Sequence, residues 1–375
     1  MQFIDLAAQQ KRIRTKIEEN IKAVLDHGQY IMGPEIGELE KRLSEYLGVK
    51  HAICCSSGTN ALLMALMACN VGPGDAVLTT PFTFIATAEV ISLIGAIPVF
   101  VDIDPETFNI DPSELEPEIS KLRATPGKPV PKGIIAVDLF GLPANYDEIN
   151  AIARKHGLFV IEDAAQSFGA EYQGKRACSL ADMACTSFFP AKPLGCYGEG
   201  GAVFTDNDEI AEKMLSIRIH GTGAHKYDNT RIGINGRLDV IQAAVLLAKL
   251  DIFPEEVELR QEAALRYTAG LKSDATLTPP SVPRGMKSIW AQYSILAENR
   301  DHRTLLQNRL QEVGIPTAIY YPVPLHLQPA FACLGYKTGD FPISEDCAGR
   351  IFSIPMHPYL NKEDQEKIIK DLRGF

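Results

Sequence analysis

The 375-residue sequence has no Cys-x-x-Cys pair, no run of basic residues and no internal repeat. Its apolar runs also fall well short of the roughly 20 residues needed to span a bilayer. Each absence excludes something. The eight cysteines stand mostly in apolar contexts (Cys54, Cys55, Cys69, Cys185), as reduced core thiols do, rather than in a disulfide framework or a zinc site. The histidines at 27, 220, 326 and 357 lie in turns or strand ends without acidic companions or ligand spacing, so no metal is expected. A formal charge of -10 with no basic patch argues against a nucleic-acid partner. From Asp5 onward the N-terminus carries acids and glutamines instead of a signal-peptide pattern, and the expectation is a cytoplasmic protein with no membrane association. Pro126 to Pro131 is a polar turn too short to be a linker.

What is present is ordinary in bulk and distinctive in pattern. Apolar residues make up 46% and charged residues 22%, in a chain long enough for one large and one smaller domain. Ile13, Ile17, Ile21, Val24 and Leu25 recur at helical spacing within residues 9 to 27, and Gly33-Pro34 opens a second helix near Glu35 to Leu47. Strand and helix patterns then alternate. Strands are expected at Ala52 to Cys55, Ala76 to Thr79, Val99 to Asp102, Ile134 to Leu139, Phe159 to Glu162, Ala184 to Phe188 and Ala202 to Thr205. Such alternation implies helices packed on a largely parallel sheet. A helix through Ala243 to Leu250 leads out of this unit, and the expected division is 1–250 and 251–375. Strand candidates in the second part are Tyr293 to Ala297 and Thr317 to Tyr321.

Three stretches carry the chemistry. In Ser187-Phe188-Phe189-Pro190-Ala191-Lys192-Pro193, a lysine stands two residues after one proline and immediately before another, with four glycines in the next stretch to Gly201. Prolines pin the backbone and glycines admit unusual geometry, which suits holding one amine still against a flat ligand; a solvated loop lysine is the bland alternative. Leu158 to Glu162 is an apolar run that delivers Asp163 where a buried parallel strand ends, the edge at which open α/β sheets place ligands. Ser56-Ser57-Gly58-Thr59-Asn60 follows a short strand and opens an apolar helix, so free N–H groups there form an anion site. Phosphate cradle, buried carboxylate and restrained lysine, in that order, meet the needs of pyridoxal 5'-phosphate (PLP).

The sequence resembles the PLP-dependent sugar-nucleotide aminotransferases of the DegT/DnrJ/StrS group. The resemblance rests on Phe3 to Leu6, Gly33 to Glu35, Ser57 to Thr59, Pro81 to Phe84, Glu162 to Ser167, Ser187 to Lys192 and Tyr321 to His326, and runs essentially end to end. It implies the aspartate-aminotransferase-like type I fold, with a large mixed-sheet domain and a smaller C-terminal α/β domain. It makes Lys192 the Schiff-base amine and Asp163 the partner of the pyridine nitrogen. Phe84 and Ala165 would cover the two ring faces, Gln166 would bond the phenolic oxygen, and Gly58, Thr59 and Ser187 would hold the phosphate. Residues 231 to 239 resemble a segment donated by a partner subunit, with Asn235 reaching the neighbour's cofactor phosphate and Arg237 its nucleotide-sugar. A homodimer with shared active sites follows.

Within the group, His27 to Ile31 and Pro355 to Leu360 resemble the branch that aminates carbon 3 of an oxidised UDP-N-acetylhexosamine. The implied substrates are a UDP-linked keto-sugar, as 3-oxo-glucuronate or its glucose counterpart, and glutamate. One departure concerns the sugar pocket: where that branch commonly has His-Tyr-Pro, this chain has Tyr320-Tyr321-Pro322. A neutral phenol at 320 replaces a group able to carry positive charge, which leaves the carbon-6 substituent open between carboxylate and hydroxymethyl. Alternatives are a 4-keto-sugar aminotransferase, a PLP-dependent sugar dehydratase, which replaces the lysine with histidine, and a PLP-binding regulator without turnover.

Overall fold

In the computed structural model residues 1–225 and 227–373 are described. Among these residues thirteen strands form: β1 (His51–Cys55), β2 (Asp75–Thr79), β3 (Ile97–Phe100), β4 (Val130–Val137), β5 (Phe159–Asp163), β6 (Glu171–Tyr172), β7 (Lys175–Arg176), β8 (Met183–Ser187), β9 (Gly201–Thr205), β10 (Leu277–Thr278), β11 (Met286–Lys287), β12 (Tyr293–Ala297) and β13 (Ile351–Ile354). Seven of them form one sheet in the order β1-β9-β8-β5-β4-β2-β3. The pairs from β8 through β3 are parallel, whereas β9 runs antiparallel to both β8 and β1. Alternate residues of each strand enter different cores: Cys54, Leu78, Ile134 and Val160 join one cluster, and Ile53, Val77, Ile135 and Ile161 the other. Helices cover both faces, which is why these strands read as continuous apolar runs.

This topology gathers the three chemical stretches at one edge of the sheet. The parallel strands β5 and β8 end there with Asp163 and Ser187. Because β9 is reversed, its first residue Gly201 pairs with both Ser187 and Cys55, which brings the Ser56-to-Asn60 turn alongside. The approach is close. A methyl group on Gly201 would lie 2.5 Å from the Ser57 carbonyl carbon, so the glycine is sterically required.

A second, antiparallel sheet, β10-β12-β13, is packed by the helices Phe253–Leu271, Arg300–Glu312 and Lys362–Arg373. Phe253 and Val257 of the first of these helices belong to the large-sheet core, as does Ile289. The strand expected at Thr317 to Tyr321 is reduced to a single bridge between Ala318 and Ser353. Pro316 and Pro322 flank it; each lacks an N–H and restricts the residue before it, so a ladder does not propagate.

The outer edge of the large sheet is closed at β1. Glu40, from the helix Pro34–Leu47, accepts the Cys54 N–H at 2.9 Å, and Arg218 Nη1 donates to the Cys54 carbonyl at 2.9 Å. Arg218 and Glu40 are themselves an ion pair at 2.5 Å. Near the lysine turn, Lys249 of the helix Val240–Leu250 is 1% exposed, and its Nζ lies 4.3 Å from the centre of the Tyr197 ring without a hydrogen-bond partner.

Candidate active site

Asp163 ends β5 as a buried carboxylate. Thr87 Oγ1 donates to its Oδ2 at 2.8 Å and the Ala165 N–H reaches Oδ1 at 3.3 Å. Burial raises its pKa, opposed by these two donors and by the charge of Lys192. Lys192 is shifted in the reverse sense: desolvation lowers its pKa, and Asp163 pulls it back up. Its backbone N–H donates to Phe189 O at 2.9 Å, closing the turn that the surrounding prolines define. Carboxylate and amine interact electrostatically, the first at the end of β5 and the second in the turn that follows β8.

Beside them, the helix Gly58–Ala68 begins under a Ser57 cap whose side chain accepts from Asn60 N at 3.0 Å. The N–H groups of Gly58 and Thr59, in the first turn, have no carbonyl of an earlier turn to bond and are left for an anion. Ser187 closes this corner: a methyl group at Gly58 would lie 2.7 Å from Ser187 Cβ. A phosphate fits a corner of this kind because backbone donors approach it without intervening side chains. With a buried carboxylate and a half-buried amine in reach, the residues present fit PLP.

The residues expected around the ring, Gln166, Ala165 and Phe84, lie beside Tyr321 and Asp163. Gln166 is buried, its Oε1 fixed by the Phe140 N–H at 2.6 Å and its Nε2 directed to Tyr321 Oη at 3.3 Å. That orientation leaves the amide presenting donors, as a phenolate requires. Ala165, half-buried, follows Asp163 by two residues. Phe84 is 56% exposed, just before the helix Ala86–Leu93, with its ring 6.4 Å from that of Tyr321. Tyr320 is half-buried and its ring lies 5.8 Å from Tyr321. Burial raises the pKa of both phenols, so both are neutral donors at physiological pH.

Asn235 and Arg237 are placed differently. They line a separate cavity of about 270 Å³ with Ile31, Ser56, Glu199 and Asp239, and the buried Nε of Arg237 has no partner. The segment is held by Ser56 N–H to Gly236 O at 3.0 Å and by Gly236 N–H to Arg218 O at 2.9 Å. Among the described residues no group of histidines, cysteines and carboxylates could hold a metal. Sequence reasoning missed Thr87, whose signal was a lone hydroxyl at the start of an apolar helix, and Phe140, whose backbone role no side-chain motif marks.

The fold and this constellation define a PLP-dependent transferase of fold type I. Residues 11–373 match the DegT/DnrJ/EryC1/StrS aminotransferase family, and the chain belongs to it. It is 50% identical over 361 residues, 96% of each chain, to UDP-2-acetamido-2-deoxy-3-oxo-D-glucuronate aminotransferase of Pseudomonas aeruginosa. It is 38% identical to UDP-N-acetyl-3-dehydro-alpha-D-glucosamine 3-aminotransferase of Acidithiobacillus ferrooxidans, covering 99% of this chain and 96% of that one. A family aminotransferase from Brucella abortus superposes with a TM-score of 0.96 at 52% identity, covering 100% of this chain and 99% of the other. NtdA of Bacillus subtilis, solved with its cofactor PMP, superposes at 0.88 with 30% identity, covering 99% and 82%. The protein is an aminotransferase that uses PLP, and its substrates are a sugar nucleotide and an amino donor. Among the described residues no helix is long and apolar enough to cross a membrane.

Proposed function

We propose that the enzyme transfers an amino group from glutamate to carbon 3 of a UDP-2-acetamido-2-deoxy-3-oxo-hexose, in the synthesis of a cell-surface sugar. The observation that carries this reading is the 50% identity, across almost the whole chain, to an enzyme named for that substrate as the 3-oxo-glucuronate. The 38% identity to a 3-dehydro-glucosamine enzyme supports carbon 3 as the position, and Tyr320 keeps the neutral sugar in play. Bound PLP supplies an electron sink for the carbon that loses its proton.

The side chains divide the work. Lys192, its basicity lowered by desolvation, is the base that takes the donor's α-proton and returns it on the other side of the reaction. Asp163, held by Thr87, would accept the pyridinium N–H of bound PLP and keep that nitrogen protonated. The Gly58 and Thr59 amides with Ser187 would hold the phosphate, and the Gln166 amide would donate to the phenolic oxygen. In a homodimer with shared sites, Asn235 would complete the partner's phosphate site and Arg237 would meet the partner's nucleotide-sugar, which accounts for the unpaired Nε in this chain. Division of the chain near residue 250 into a cofactor domain and a smaller domain belongs to the same reading.

The test is turnover on a panel of 3-oxo and 4-oxo UDP- and dTDP-sugars with glutamate. The 3-oxo UDP-sugars should lead, with the uronate ahead of the neutral sugar. A 4-oxo sugar in first place overturns the assignment to carbon 3. A hundredfold preference for the neutral sugar, about 2.7 kcal/mol, overturns the uronate.

A further inference from the structure

Four aromatic rings stand in a row from the N-terminal segment to the candidate cofactor site. Phe3 meets Tyr320 edge-on with ring centres 6.4 Å apart, Tyr320 meets Tyr321 at 5.8 Å, and Tyr321 meets Phe84 at 6.4 Å. The two inner rings differ in their other anchors. Tyr321 is bonded to Gln166 and packs edge-on to the buried Phe82 at 6.5 Å. Among the described residues Tyr320 makes no hydrogen bond, and its ring partners are Phe3 and Tyr321.

Phe3 itself is held firmly. Its carbonyl accepts the Met356 N–H at 3.3 Å, and two residues later Asp5 caps the helix Leu6–His27 through Ala8 N at 2.9 Å. That helix is fastened in turn: Gln9 Nε2 bonds both oxygens of the buried Glu256 at 2.9 and 3.0 Å, and the Tyr359 hydroxyl bonds Glu256 Oε1. The segment before the first helix is therefore fastened at both ends, with the half-buried Phe3 ring between them.

We propose that Phe3 is a positioning residue for sugar recognition, setting the ring of Tyr320 against the sugar of the nucleotide substrate. This rests on the reading above that Tyr320 faces the sugar. An edge-to-face pair fixes both the tilt and the depth of the phenol, and so the place its hydroxyl presents to carbon 6. The contact bears on sugar binding and not on chemistry at Lys192, because Gln166 and Phe82 hold Tyr321 independently of Phe3.

A double-mutant cycle on holoenzyme tests it, with UDP-N-acetylglucosamine as the calorimetric probe and each half-reaction followed by cofactor absorbance. Phe3→Ala should weaken probe binding and raise the sugar KM roughly fivefold. The glutamate half-reaction should keep its rate, and Phe3→Tyr should restore binding. In a Tyr320→Ala background, Phe3→Ala should add nothing further. Equal losses in both backgrounds, or parallel loss of the glutamate half-reaction, would show a merely structural residue and overturn the proposal. If Phe3→Ala does not fold, Phe3→Leu keeps the bulk without the ring edge and is read the same way. An enzyme that ignores UDP-sugars but aminates another keto-sugar overturns the substrate reading, and the same cycle run with that sugar still decides Phe3.

Discussion

Thr87 reaches from the first turn of one helix to the end of a strand, and its hydroxyl is the principal donor to Asp163, 2.8 Å from Oδ2. A buried carboxylate needs such a donor to stay ionised, since burial favours the protonated form. Removing the hydroxyl with Thr87→Val keeps the volume, raises the Asp163 pKa further and weakens its hold on a pyridinium. The glutamate half-reaction should slow roughly tenfold, by the ordinary worth of a hydrogen bond to a charged group. Activity falls as pH drops through the carboxyl pKa, so the acid limb of the pH–rate profile should move to higher pH. Thr87→Ser should restore both, and an unmoved acid limb would separate Thr87 from Asp163.

Gly58 has no room for a side chain. Gly58→Ala sets its methyl group 2.7 Å from Ser187 Cβ, and backbone must give on one side or the other. The anion corner then opens, and PLP affinity should fall at least tenfold, on the order of one or two lost charge-assisted hydrogen bonds. Equilibrium dialysis of PLP against both proteins checks this.

Lys249 is a buried amine that the proposed mechanism does not use. Desolvation lowers its pKa to about 8, with Glu256 and Cys196 opposing. For a base, a folded-state pKa below the unfolded one is a cost, fully present below about pH 8 and relieved as pH rises toward the unfolded value. Lys249→Met should therefore stabilise the protein at neutral pH by up to about 3 kcal/mol. It should also flatten the rise in stability between about pH 8 and the unfolded pKa. Denaturant titrations across that range read both effects, and a destabilised variant at pH 7 would contradict the sign.

The proposed sharing of sites between two chains makes a prediction about mixtures. Lys192→Ala and Arg237→Ala chains should each be nearly inactive alone. Mixed under conditions where subunits exchange, each heterodimer carries one intact site, so activity should recover toward about a quarter of wild type at equal mixing. Mixtures as inactive as their parents, with exchange demonstrated by mass, would confine each site to one chain.

What the sequence made legible was local. Lys192 between its prolines, Asp163 after its apolar run and Gly58 at its helix start announce themselves because each needs particular neighbours along the chain. The direction of β9 was not legible, although it alone brings Gly201 beside Ser187 and Cys55, since strand pairing joins residues far apart in sequence. Thr317 to Tyr321 shows the opposite failure: its β-branched and aromatic residues suit a strand, but flanking prolines leave one bridge. Phe3 and Thr87 were illegible as site residues because what each touches, Tyr320 and Asp163, is decided by packing and not by spacing.

The clasp of Glu40 and Arg218 over Cys54 has a consequence away from catalysis. An unpaired strand edge is a template for another chain to add to, during synthesis or in a concentrated solution. At β1 the outward N–H and C=O of Cys54 are already taken, by two charged side chains that an incoming strand would have to displace and leave buried. Fibrillar growth from the large sheet is thereby turned away at that margin, and a chain that lost Glu40 would expose it.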